Sequence, residues 1–153
     1  MTTMDTSKQE FTIDQRIHHQ PIFHTANGRA QFRRLTLTHY AQGYRLTSVR
    51  SEGQFNSIIY HEKDSYRSQT ARWVVPMNTA DMQREKLSDN DLVDISTATG
   101  QMLKLKVKGF DVRAGNLMVY YPEANCLIPR STDPRSKTPA FKGVVIALAK
   151  SPQ

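Results

Sequence analysis

The side chains best suited to chemistry lie in two polar segments of the 153-residue chain. In residues 46–56 (LTSVRSEGQFN) a run with strand character ends in Arg50, and a turn through Gly53 then gathers Ser51, Gln54 and Asn56. Such a set suits a ligand that presents phosphates and the amide edges of a ring. Arg50 is a forked phosphate donor, and Gln54 and Asn56 are paired donor–acceptors. The same spacing equally suits a β-bulge closed by a buried Arg–Glu pair. The second segment, residues 120–142, holds Pro122, Pro129, Pro134 and Pro139 together with Asn125, Asp133, Arg130, Arg135, Lys137 and Lys142. A loop stiffened by proline loses less entropy when it closes on a ligand. A plain surface connection kept short of disorder is the competing reading.

Other catalytic arrangements are missing from the sequence. There is no Gly-rich phosphate loop and no Gly-x-Ser-x-Gly elbow. His18 and His19 are adjacent, and His24, His39 and His61 are scattered, with no cysteine pair to complete a metal site. Cys126, between Asn125 and Leu127, has no evident base and is expected to be a buried, inert thiol.

The elements that must position these segments are mostly strands. Strand character is found at 44–50, 55–60, 72–76, 92–97, 101–108, 116–121 and 143–148, with turn signals between them. In 101–108, Leu103, Leu105 and Val107 alternate with Lys104, Lys106 and Lys108, which predicts one buried and one wet face. One helix is expected over 78–87, with Asn78 as N-cap, Asp81 at N3, and Met77 and Met82 at the staple positions. Asn90 is the residue in the 88–91 turn best able to accept a positive φ, and 26–28 reads as a turn before 29–33. Residues 61–70 read as a polar loop. About seven short strands and one helix imply a closed barrel or a sandwich.

Length and composition, 38% hydrophobic and 23% charged, suit one globular domain. Residues 1–20 are polar, without the apolar core of a secretory signal, and are expected to be flexible; 21–150 are expected to form the domain. No apolar run approaches the roughly 18 residues of a membrane span. A single cysteine excludes an internal disulfide and fits a cytoplasmic setting. Residues 101–153 carry nine Lys and Arg against Asp111, Glu123 and Asp133, and so hold six of the seven net positive charges. That field favours an anionic partner. Nucleic acid is not expected, because Tyr and Phe are not interleaved with the lysines.

At these residues the chain resembles a known family. LTSVRSEGQFN at 46–56, MNTADM at 77–82, YPEAN at 121–125 and DPRSKTPAFK at 133–142 recur in that order, with FHTANGRA at 23–30 as an entry motif. Together they resemble the C-terminal molybdopterin-dinucleotide-binding domain of formate-dehydrogenase-like molybdopterin oxidoreductases. The resemblance implies a six-stranded double-psi β-barrel of the aspartate-decarboxylase-like type with one or two short helices. It implies that the domain holds part of a molybdopterin guanine dinucleotide while other domains hold molybdenum or tungsten. Arg50 and Ser51 would begin the cofactor loop, followed by Gln54, Asn56 and Ser57. Asn125 would face the pterin or guanine, and Lys142 would approach a pterin or phosphate. The sequence departs from the family in having Gln54 where relatives often have His, and Asp89-Asn90-Asp91 where x-Gly-Asp is common.

The several hundred residues that normally precede this domain are not in the chain. A separate subunit, a detached module or an excised piece is therefore expected, partnered by a catalytic molybdopterin oxidoreductase chain or domains and not catalytic alone. The competing reading is a cofactor-free interaction domain that keeps the barrel and binds a protein or other anionic partner. A barrel enzyme with its own activity lacks a nucleophile–base set.

Overall fold

Six strands close on one another: β1 Tyr44–Val49, β2 Val74–Met77, β3 Leu92–Ser96, β4 Gln101–Gly109, β5 Asn116–Tyr120 and β6 Lys142–Lys150. The structure is a computed structural model that describes residues 21–34, 36 and 43–152. The barrel order is β1-β5-β2-β4-β3-β6, with β6 returning to β1. Two pairs, β1–β5 and β2–β4, are parallel, and the remaining neighbours are antiparallel. This is the expected double-psi barrel, with one short α-helix and two 3-10 turns in its connections. The chain divides into two units between residues 39 and 40. In the first, the expected turn forms at Gly28 (φ 66), whose N–H donates to Thr25 O at 3.0 Å. The expectations for residues 1–20, for His18, His19 and His39, lie outside the described residues.

The pairing pattern decides what meets at one end of the barrel. Because β1 and β5 are parallel (Val49 opposite Tyr120), residues 50–57 and 121–125 leave the barrel side by side. Antiparallel β6 begins at the same end, where Lys142 lies opposite Thr47. The start of β2 is brought there by its antiparallel pairing with β5 and its parallel pairing with β4.

The core is filled by Leu46, Val75, Met77, Val93, Ile95, Met102, Leu105, Val107, Leu117 and Val119, each no more than 1% exposed. β2 is buried at all four positions, as a continuous apolar run in a barrel wall requires. Helix α1, Thr79–Arg84, is shorter than expected. Its start follows the prediction: Asn78 accepts from Ala80 N at 2.8 Å, and Met77 and Met82 are buried. It ends in a Schellman turn, with Lys86 N donating to Gln83 O at 3.1 Å and Leu87 N to Met82 O at 2.8 Å. Lys86 takes the left-handed position (φ 55) that glycine usually fills. Asn90 has the positive φ expected of it (73°).

Two expectations are corrected. Residues 55–60 are not a strand but an exposed loop, so the barrel has six strands rather than seven. In β4 the alternation breaks: Val93 pairs with Leu105 and Ile95 with Met102, so β4 carries one extra residue. Lys104 adopts φ 55 at this bulge, and its N–H donates to Asp94 Oδ1 at 2.8 Å. Leu103 is thereby turned outward, 47% exposed, and Met102 takes the core position. Leu105 and Val107 are buried as expected, and Lys104 and Lys106 are exposed. Lys108 is half-buried and pairs with Asp89 at 3.1 Å.

Candidate functional site

The loop leaving β1 is shaped from within. Gln54 is buried, and its Oε1 accepts from both the N–H and the Oγ of Ser51, each at 3.2 Å. Gln54 Nε2 donates to Tyr121 O at 2.9 Å and to Ser57 O at 3.2 Å. Ser51 and Gln54 therefore fold the loop onto the 121–123 segment and point their side chains inward. Gly53 (φ 69) makes the reversal between them. Arg50 faces outward beside the Tyr121 ring, 5.6 Å from its centroid, and makes no ion pair among the described residues. Asn56 is exposed, and half-buried Ser57 accepts from Ile59 N at 2.8 Å.

Lys142 donates from Nζ to Ser48 O on the neighbouring strand β1. Burial lowers its ammonium pKa, and the charges of Arg50 and Arg67 lower it further. Arg67 Nη1 donates to Arg50 O at 3.0 Å and pairs with Asp64 at 2.7 Å. Three cations thus crowd one barrel end, with Asp64 already engaged by Arg67.

Asn125 sits on the 3-10 helix Glu123–Leu127, exposed, with no side-chain bond among the described residues. This helix is held against the β3–β4 turn. Thr97 Oγ1 donates to Leu127 O at 3.1 Å, and a Cβ at Gly100 would lie 2.5 Å from Cys126 O. Cys126 itself is exposed, correcting the expectation of a buried thiol, because the apolar contacts of this turn fall to Ala124 and Leu127 instead. The tip of the following loop is organised by Asp133, whose Oδ1 accepts from Arg135 N and Ser136 N at 2.9 and 2.7 Å. Arg130, Arg135 and Lys137 are exposed along it.

The barrel thus gathers Arg50, Ser51, Gln54, Ser57 and Lys142 with the segment that leads to Asn125. No hydrogen bond ties the side chains of Asn56 or Asn125 to the others. The sequence reading missed two buried polar groups here. The buried Arg–Glu pair weighed for residues 46–56 does not form between Arg50 and Glu52; a different pair, Arg72 with Glu123 (2.7 Å), is buried beside that loop. An arginine two residues ahead of a fully buried strand was the available signal. Asp64, 1% exposed in the segment read as a polar loop, accepts from Tyr120 Oη at 2.8 Å and Tyr66 N at 3.1 Å.

Burial alone would raise the Asp64 and Glu123 carboxyls. Hydrogen bonds from Arg67 and Tyr120 to the first, and from Arg72 to the second, outweigh it and hold both below their ordinary values. A carboxyl depressed on folding stabilises above its unfolded pKa, about 4. That contribution is lost as pH falls through the lower folded value. Thermal melts should therefore show the midpoint falling as pH drops below about 4, and Asp64→Asn should flatten that fall. An unchanged acid profile in the variant would show that Asp64 is not one of the coupled groups.

Beside the loop lies a cavity of about 510 Å³ lined by Glu52, Gly53, His61, Glu62, Lys63 and Ser65. Its two carboxylates disfavour a phosphate, whereas Arg50 and Lys142 favour one. No group of three metal-ligating side chains occurs among the described residues, and none of their helices is long and apolar enough to cross a membrane.

A closed double-psi barrel thus carries cations and exposed amides at one end, groups able to meet an anionic ligand. Residues 44–145 match the molydopterin dinucleotide binding domain, and the chain belongs to that family. It is 35% identical over 114 residues to an uncharacterized oxidoreductase of Mycobacterium tuberculosis, covering 67% of this chain and 15% of that protein. It is 26% identical over 164 residues to protein YdeP of Escherichia coli, covering 90% of this chain and 22% of that protein. The chain thus spans about a fifth or less of these relatives. Among solved structures it is similar in fold to acetylene hydratase from Pelobacter acetylenicus (TM-score 0.50, 15% identity, 70% of this chain and 18% of that one). The family's ligand is a molybdopterin dinucleotide, in its guanine form molybdopterin guanine dinucleotide. The outward Arg50 and the cation crowding at Lys142 fit an anionic dinucleotide.

Proposed function

We propose that this chain holds part of a molybdopterin guanine dinucleotide as the C-terminal module or small subunit of a formate-dehydrogenase-like oxidoreductase. The observation that carries this reading is the meeting of outward Arg50 with Lys142 at the barrel end from which the Asn125 turn emerges. Arg50 and Lys142 take phosphate, while Asn56, Ser57 and Asn125 offer hydrogen bonds to ring edges. Ser51 and Gln54, whose polar atoms are engaged within the chain, keep the loop in shape. Molybdenum or tungsten, held by the bound cofactor and a larger catalytic partner, supplies the redox chemistry. The cytoplasm is the proposed location.

GDP is the probe. Titration followed by backbone amide shifts should perturb residues 50–57 and 121–142 together, with an affinity on the order of millimolar because part of the natural cage is missing. Arg50→Ala should weaken binding by about 1.5 kcal/mol, the lower end for a charged hydrogen bond because Arg50 is exposed. A folded chain with no response in either segment would overturn the cofactor reading. It would favour an interaction domain using the exposed Arg130, Arg135 and Lys137 for an acidic partner.

A further inference from the structure

Arg72 lies just ahead of β2 and is 3% exposed, yet none of the ligand-facing roles above uses it. Its Nε donates to Glu123 Oε1 at 2.7 Å and its Nη2 to Glu123 Oε2 at 3.0 Å and to Tyr121 O. Its Nη1 donates to Ser51 Oγ at 2.8 Å, and Nη2 also reaches Gln54 Oε1 at 3.4 Å. The guanidinium carbon lies 3.6 Å from the centroid of the Tyr60 ring and 4.8 Å from that of Tyr120. One side chain therefore grips the 51–60 loop near its start (Ser51, Gln54) and at its far end (Tyr60). The same group grips Glu123, two residues before Asn125.

Stability alone does not account for this arrangement. A buried ion pair is often matched by well-packed apolar side chains of similar volume, because desolvating two charges offsets their attraction. Apolar side chains do not hold three chain segments at fixed angles. A planar fork with five N–H donors and two stacking faces does. Lysine would keep the charge but lose the fork.

We propose that Arg72 is a positioning residue for the dinucleotide: it locks the 51–60 loop to the turn carrying Asn125, so that both halves of the site are pre-formed together. This rests on the cofactor reading above, and Arg72 itself touches no ligand. The deciding variant is Arg72→Met with Glu123→Leu, which fills the space without leaving a lone charge. It should melt close to the parent, while GDP affinity falls about tenfold or more as loop ordering is charged to binding. Arg72→Lys, which keeps a cation beside Glu123, should lose affinity similarly and serves if the double variant does not fold. Parent-like GDP affinity in either folded variant would overturn the proposal.

If the parent does not respond to GDP, the cofactor reading fails, and amide hydrogen exchange judges the positioning claim without ligand. Protection should then fall together at 51–57 and 121–127 in the variant while the β3–β4 pairs are unchanged. Loss confined to one of the two segments would sink it.

Discussion

Leu105→Ala should destabilise the barrel by about 2–5 kcal/mol, whereas Leu103→Ala, two positions away on the same strand, should change stability by under about 1 kcal/mol. Leu105 is fully buried opposite Val93, and removing its isobutyl group leaves a cavity in a wall that the closed ladder keeps from collapsing. Leu103 faces out beyond the bulge, its carbonyl accepting from Trp73 Nε1 at 2.8 Å, a bond that truncating the side chain leaves intact. Lys106→Ala should change stability by less than about 0.5 kcal/mol. Urea unfolding of the three variants decides the point. Equal losses for Leu103 and Leu105 would mean that β4 alternates without a bulge.

Glu123→Ala should cost about 3 kcal/mol, the lower end expected for breaking a buried pair. The loss comes from what remains: a guanidinium at 3% exposure whose carboxylate partner has gone. Bonds to Ser51 and Tyr121 O persist, which moderates the penalty. Adding Arg72→Met to a Glu123→Leu background should recover most of the stability, since the lone charge is then removed as well. If Glu123→Ala melts with the parent, Arg72 has found another counter-charge or water, and the pair is not holding the loop. The two predictions test different layers, the packing of the barrel wall and the polar clasp above it.

Much of the fold was legible because its signals are local. Asn78 as a cap followed by Met82, an asparagine in the 88–91 turn, and apolar spacing on either side of residues 97–100 each depend on a few neighbouring residues. The ordered strings at 46–56, 77–82, 121–125 and 133–142 identified the family, and with it the double-psi barrel, through their combination rather than through any one of them. The candidate site was legible as a set of segments. Which side chains face a ligand was less so: Gln54 reads as a ring-edge donor in sequence, and the folded loop turns its amide onto Tyr121 O and Ser51.

By itself, then, the sequence determined most of the periodic elements, the turn chemistry, and the candidate residues proposed to meet an anionic dinucleotide. Tertiary structure decided three further matters. One extra residue in β4, visible only against the register of β3, reversed the facing of Leu103. The run at 55–60, strand-like in composition, remained a loop, because β-propensity expresses itself only where a partner edge is offered. Arg72 found its carboxylate 51 positions away, through the parallel pairing of β1 with β5 and the antiparallel pairing of β2 with β5. Register and ion-pair choice depend on which distant segment arrives alongside, and closure of the barrel settles that.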